Sequence, residues 1–158
     1  MTNWRVIALL LGALAGGCAS EPVGNAASGS AATQGNAAAS TAPPPPSEDG
    51  FRARAGCSAT LEAMANLFDA VGRTSRDPAE QSEMRSLAAA RRESARMLEL
   101  AALDVGAPLG RTLADVQRVK SEREAELRRQ QSAQSFEDFA MLLGRESDAC
   151  AAFAPRPN

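Results

Sequence analysis

The sequence contains no histidine and no tyrosine, and it has one lysine, one tryptophan and five phenylalanines in 158 residues. The lack of histidine excludes haem ligation by imidazole and di-iron sites built on Glu-x-x-His, and it removes the commonest catalytic base. With so few aromatic residues and a net charge of −2, there is no basic, base-stacking surface for nucleic acid. We therefore expect no cofactor, no metal, no nucleic-acid partner and no enzymatic activity.

Cysteine is also scarce, and the first of the three cysteines follows an export-type segment. Arg5 supplies a positive charge, 6–15 is an apolar core, and small residues come next. Ten apolar residues are about half of the roughly 20 that a membrane-spanning helix needs. The run Leu14-Ala15-Gly16-Gly17-Cys18 resembles the lipobox of bacterial prolipoproteins.

This resemblance implies that the signal 1–17 is removed and that Cys18 becomes the lipidated, palmitate-bearing first residue. In the resembling class an Asp after the cysteine retains the protein at the inner membrane, whereas the next residue here is Ala19. The resemblance therefore implies an outer-membrane lipoprotein with its domain in the periplasm. The alternative is ordinary signal-peptidase cleavage, for which Ala15, Gly17 and Ala19 supply the small residues.

The two remaining cysteines, Cys57 and Cys150, form an even pair in a chain expected to be exported. Oxidising compartments favour disulfides, so we expect these two residues to be bonded. Cys18 is then the odd cysteine, which agrees with a lipid on its sulfur.

The chain between the signal and the first periodic segment has the composition of a tether. After Cys18, the stretch 19–50 consists mainly of Ala, Ser, Gly, Asn, Thr and Pro, and Val23 is its only sizeable apolar residue. Such a stretch buries too little surface to offset the entropy of ordering, so we expect 18–50 to be disordered. As a coil it would span about 30 Å on average. The domain is then 51–158.

Helical periodicity begins near residue 58, and no segment alternates as a strand does. Start signals occur at Asp77-Pro78-Ala79-Glu80, at Thr112-Leu113-Ala114-Asp115 and at Ser135-Phe136-Glu137-Asp138. The expected helices are 58–71, 78–104, 112–131 and 135–153. Short connections favour antiparallel neighbours, so the predicted fold is all-α: an antiparallel up-down four-helix bundle closed by one disulfide.

The first and last helices each carry an apolar stripe that ends at a cysteine. Placing Cys57 opposite Cys150 in antiparallel helices also pairs Met64 with Leu143, Phe68 with Phe139, and Val71 with Phe136. Only Leu61 against Glu146 interrupts these apolar pairs. The cysteines thus select a register in which two apolar faces coincide.

The second helix has a less regular stripe. Its apolar positions are Met84, Leu87, Leu98, Ala101 and Val105, and Arg91 falls on the same line. We expect Met64, Met84 and Met97 to fill the core.

Glu146 lies on the apolar face of the fourth helix, and Arg91 and Arg123 lie on the facing lines of the second and third helices. An acid beside arginines between helices is either a structural ion pair or a site for a small charged ligand. Two functions follow. The first is a membrane-anchored, non-catalytic envelope protein that docks a protein partner. The second is a small-ligand or inhibitor-type binding module near Glu146.

Overall fold

The computed structural model describes residues 45–153, so the predicted signal, Cys18 and nearly all of the predicted tether lie outside the described residues. Four helices form: α1 (Glu48–Thr74), α2 (Pro78–Gly106), α3 (Leu113–Ala133) and α4 (Phe136–Ala149). Short 3-10 segments, Ala107–Leu109 and Cys150–Phe153, follow α2 and α4. The predicted all-α bundle of four helices is confirmed. Within 45–153, none of the helices combines the length and apolar character needed to cross a membrane.

Helix α1 begins ten residues before the expected start at 58. The Ser47 hydroxyl accepts a hydrogen bond from the Gly50 amide at 3.1 Å, and Glu48 lies in the first turn, where the helix dipole favours negative charge. Phe51 is fully buried in this added length. The early start was missed because charged and small residues fill most of 48–57 and leave Phe51 as its only large apolar side chain, which gives little periodic signal. The last three residues of the predicted tether therefore belong to α1.

The other three helices begin at the predicted signals. Asp77 caps α2, with Pro78 as its first residue. Thr112 and Asp115 form a reciprocal capping box at α3, and Ser135 caps α4. Each cap satisfies amide groups that lack a partner within the helix, which fixes where the helix starts.

Helix α1 is the common partner of the other three helices and contacts α2 most extensively. Small or buried residues recur every seven positions on both helices of this pair, at Phe51, Ser58, Ala65 and Gly72 on α1 and at Ala88, Ala95 and Ala102 on α2. Ala65 shares a core cluster with Ala88, and Phe51 shares one with Ala102. Small side chains at helical spacing let two helix backbones approach closely.

The predicted Cys57–Cys150 disulfide is confirmed, with the two Cα atoms 5.5 Å apart. The partners predicted by the same register also meet, since Met64, Phe68, Phe139 and Leu143 belong to one buried cluster. Phe136, expected against Val71, is nevertheless 49% exposed. Met97, expected in the core, is exposed on α2.

Candidate functional site

Glu146 and Arg123, two of the predicted site residues, form an ion pair between α4 and α3. The guanidinium of Arg123 donates to the Glu146 carboxylate and, through Nε, to the hydroxyl of Thr60 at 3.2 Å. Thr60 is buried on α1. The cluster therefore joins three helices at one point, and its opposite charges neutralise each other.

Arg91, the third predicted residue, does not join this cluster. It lies half-buried on α2, and within 45–153 no hydrogen bond or ion pair connects it to Glu146. Of the two predicted arginines, the structure thus places Arg123 beside Glu146. Their arrangement is that of a structural ion pair.

A second charged cluster, missed by sequence reasoning, surrounds the chain's single lysine. The side chain of Lys120 on α3 is 9% exposed, and its Nζ lies 2.7 Å from Oε2 of Glu99 on α2 and 3.4 Å from Oε2 of Glu62 on α1. Position 120 follows Val116 by four residues, which places it on the buried side of α3. That spacing was the available signal, but it does not identify the two carboxylates.

The protonation state of Lys120 shows what this cluster can do. Burial lowers its pKa, but the hydrogen bond to Glu99 and the negative charges of Glu62 and Glu99 outweigh burial and raise the pKa above its ordinary value. A lysine nucleophile needs a lowered pKa so that the neutral amine is available at neutral pH. Lys120 is therefore a cation at neutral pH, and it links α1, α2 and α3.

A groove of about 350 Å³ lies between α1, α3 and the start of α4. Its apolar lining comes from Ala59, Ala63, Leu67, Ala70, Leu127, Phe136 and Phe139, and its polar lining comes from Glu62, Asn66, Glu124, Arg128 and Gln131. Ion pairs connect Glu124 with Arg128 and Glu62 with Lys120, so these charges are already partnered. An apolar floor between partnered charges suits the apolar face of a peptide better than a small charged ligand.

Comparison with known proteins gives no family for this chain: no protein-family model, no curated protein and no solved structure matches it. Among the residues that the structure describes, no group of three or more acidic or cysteine side chains is placed to hold a metal ion. The groove is the candidate binding surface because its apolar lining includes the half-exposed Phe136. The Arg123 and Lys120 clusters are internal links between helices.

Proposed function

We propose that this protein is an exported outer-membrane lipoprotein, anchored through lipid on Cys18, with its helical domain in the periplasm. The observation that carries the proposal is the Cys57–Cys150 disulfide. It uses two of the three cysteines and requires an oxidising compartment to persist. Cys18 is then the single remaining thiol, and it stands directly behind the export-type segment.

The domain acts without catalysing a reaction, as an envelope accessory protein that docks a protein partner. The groove supports this role, because its apolar floor fits the apolar side of a helix from another chain. The Arg123 and Lys120 clusters also support this role, because their charged groups pair with each other and link the helices.

The four helices form an up-down antiparallel bundle in this proposal. Two contacts support opposite directions for α1 and α2: the Gly72 Cα region packs against Met84, and Gly106 packs against Phe51. For α1 and α4, the disulfide and the shared cluster of Phe68 with Phe139 fit opposite directions in the same way.

Metabolic labelling with radioactive palmitate tests the anchor. The wild-type protein should incorporate label and sediment with outer membranes, and Cys18→Ser should incorporate none. Cys57→Ser is the matched control, because it removes a cysteine from the domain and should keep the label. A wild-type product that is unlabelled and released with the periplasmic fraction would contradict the anchor and favour ordinary cleavage.

Affinity capture from crosslinked envelopes tests the docking role. Phe136 lines the groove and is 49% exposed, whereas Met141, also on α4 and 52% exposed, is absent from its lining. One protein should be recovered with wild type, Cys18→Ser and Met141→Ser, and its recovery should fall with Phe136→Ser. Recovery of a small molecule instead of a protein, with its loss in Glu146→Gln, would favour the ligand-binding alternative.

A further inference from the structure

The chain arriving from Cys18 enters the folded domain beside the connection between α2 and α3. Nε of Arg111 donates to Oε2 of Glu48 at 2.9 Å, so the first turn of α1 touches this connection. Close packing of Phe51 against Gly106 places the end of α2 at the same site. We name this end of the domain, formed by 47–51 and 106–113, the proximal pole.

Two of the exposed large apolar side chains lie at the proximal pole. Six large hydrophobic residues are exposed in the described chain, and four of them fall within 97–113. They are Met97, Leu100, Leu109 and Leu113. Leu109 and Leu113, which are 39% and 54% exposed, belong to the pole itself. Pro108 between α2 and Leu109 is also exposed, so the connection presents an apolar tip to solvent.

The charges near this apolar tip are only partly paired. Arg111 is the only charged residue between α2 and α3, and it is bonded to Glu48. Just inside α3, Asp115 is bonded to Arg118 and to the backbone of Thr112. Asp49 in the first turn of α1 and Asp104 near the end of α2 are exposed, so the apolar tip has a small negative charge around it. A zwitterionic lipid surface does not repel such a pole.

We propose that Leu109 and Leu113 contact the phospholipid headgroup surface, so that the domain lies with its proximal pole against the membrane. This inference rests on the proposed lipid anchor at Cys18. Two leucines are too little apolar surface for stable membrane binding alone. A covalent anchor changes this, because it holds the pole at high effective concentration beside the surface, where a weak contact is populated. The anchored chain enters at this pole, which makes it the end of the domain with the shortest covalent connection to the membrane.

Tryptophan fluorescence tests this contact without background. The sole tryptophan, Trp4, precedes Cys18, so the chain 18–158 contains none. Leu109→Trp and Leu113→Trp then each carry one indole at the pole, and Met141→Trp carries one at an equally exposed position on α4. With Cys57 and Cys150 disulfide-bonded, the thiol of Cys18 is coupled to maleimide phospholipid in vesicles of the zwitterionic lipids phosphatidylethanolamine and phosphatidylcholine.

The expected result is an emission shift to shorter wavelength for Leu109→Trp and Leu113→Trp, with quenching by brominated acyl chains, and neither change for Met141→Trp. Unchanged, unquenched emission at the pole would overturn the inference. A shift that appears without vesicles and grows with protein concentration would overturn it too, because a second copy would then cover the pole. Circular dichroism of each variant verifies that the helices are retained.

Chemical coupling at Cys18 keeps this measurement separate from the proposed function. Absence of palmitate label in cells contradicts the anchor but leaves the vesicle result valid as a property of the domain. A labelled protein whose pole indoles remain unquenched contradicts the membrane contact and leaves the anchor standing.

Discussion

Two glycines inside helices have opposite surroundings. A Cβ added at Gly106 would lie 2.8 Å from Cδ2 of Phe51 and 2.9 Å from Cβ of Arg111, whereas one added at Gly56 would meet nothing within 4 Å. We expect Gly106→Ala to lower the free energy of unfolding by about 1–3 kcal/mol through overpacking. Gly56→Ala should raise it by about 0.5–1 kcal/mol, because alanine loses less conformational entropy in a helix.

Urea unfolding monitored by circular dichroism measures both changes. If Gly106→Ala were also stabilising, the close approach of Phe51 to the end of α2 would be absent in solution. The pair of variants shares one chemical change, so the difference between them isolates the packing contribution.

Lys120 offers a prediction about charge at a single residue. Lys120→Gln leaves the carboxylates of Glu62 and Glu99 near each other without their cation. We expect a loss of about 2 kcal/mol of unfolding free energy, less than for a fully buried pair because the Glu62 side chain is 45% exposed. Arg128→Gln is the matched control: Arg128 is exposed, and its pairing with Glu124 one turn away predicts a loss below about 0.5 kcal/mol.

Denaturant unfolding of the two variants at one salt concentration compares these losses. Equal, small losses would mean that Lys120 is hydrated in solution rather than enclosed between α1, α2 and α3. The raised pKa of Lys120 also predicts how its contribution to the free energy of unfolding depends on pH. This contribution is complete below pH 10.5, the ordinary pKa of lysine, and is lost only as the pH rises through the folded-state pKa.

At the scale of the element, the start of α3 depends on a titrating cap. The backbone amide of Thr112, then Arg118, then the Thr112 hydroxyl hold the pKa of Asp115 at about 2, below the ordinary 3.8. A lowered folded-state pKa contributes stability above pH 3.8 that is lost as the pH falls towards 2. The stability difference between wild type and Asp115→Asn should therefore be constant near neutral pH and shrink in that acid range.

Thermal unfolding of both proteins across this pH range measures the difference. Asp138→Asn at the start of α4 serves as a comparison, because the Ser135 hydroxyl caps that helix and donates to the Asp138 carboxylate without an arginine bond among those described for 45–153. A difference that persisted unchanged at pH 2 would mean that the Asp115 charge does not support the cap.

The helix starts that sequence reasoning predicted are those with a polar cap directly before an apolar pattern. Asp77, Thr112 and Ser135 all mark real starts. Ser47 also caps a helix, but charged and small residues fill most of 48–57, so no apolar periodicity follows it. The local chemistry of capping was readable in all four cases, and the missing start reflects weak hydrophobic contrast.

Weak hydrophobic contrast also explains why the apolar stripe predicted on α2 differs from the row of residues that is buried. Sequence reasoning chose the large residues Leu87 and Val105, whereas the fully buried row includes Ala88, Ala95 and Ala102. Alanine contributes little to a hydrophobic pattern, yet it is the residue that allows α1 and α2 to approach closely. Burial along this interface is decided by side-chain volume more than by hydrophobicity.

The candidate site was also predictable from the sequence only in part. The disulfide was predictable because two cysteines and two apolar stripes specify one register between α1 and α4. Glu146 was expected near arginine, and Arg123 is its partner. The partners of Lys120 come from α1 and α2, and no feature of the sequence fixes the register of α3 against either helix.

At the scale of the whole molecule, the three other helices are organised around α1. Helices α3 and α4 touch each other little and depend on α1 for their burial. Helix α4 is the shortest at 14 residues, and its buried side chains are few. Its attachment therefore depends strongly on the disulfide that joins its C-terminal end to Cys57.

The last prediction concerns that attachment. The disulfide spans 93 residues, nearly the whole domain, and opening so long a loop enlarges the unfolded ensemble. We expect the Cys57→Ser, Cys150→Ser double variant to lose roughly 2–5 kcal/mol of unfolding free energy. Cys18→Ser should lose none, because Cys18 lies outside the loop. Limited proteolysis should cleave the double variant first in α4, since α1 and α2 retain their close contact without the bond. Cleavage that begins in α2 would mean that the contact between α1 and α2 opens before α4 detaches. That result would contradict the dependence of α4 on the disulfide.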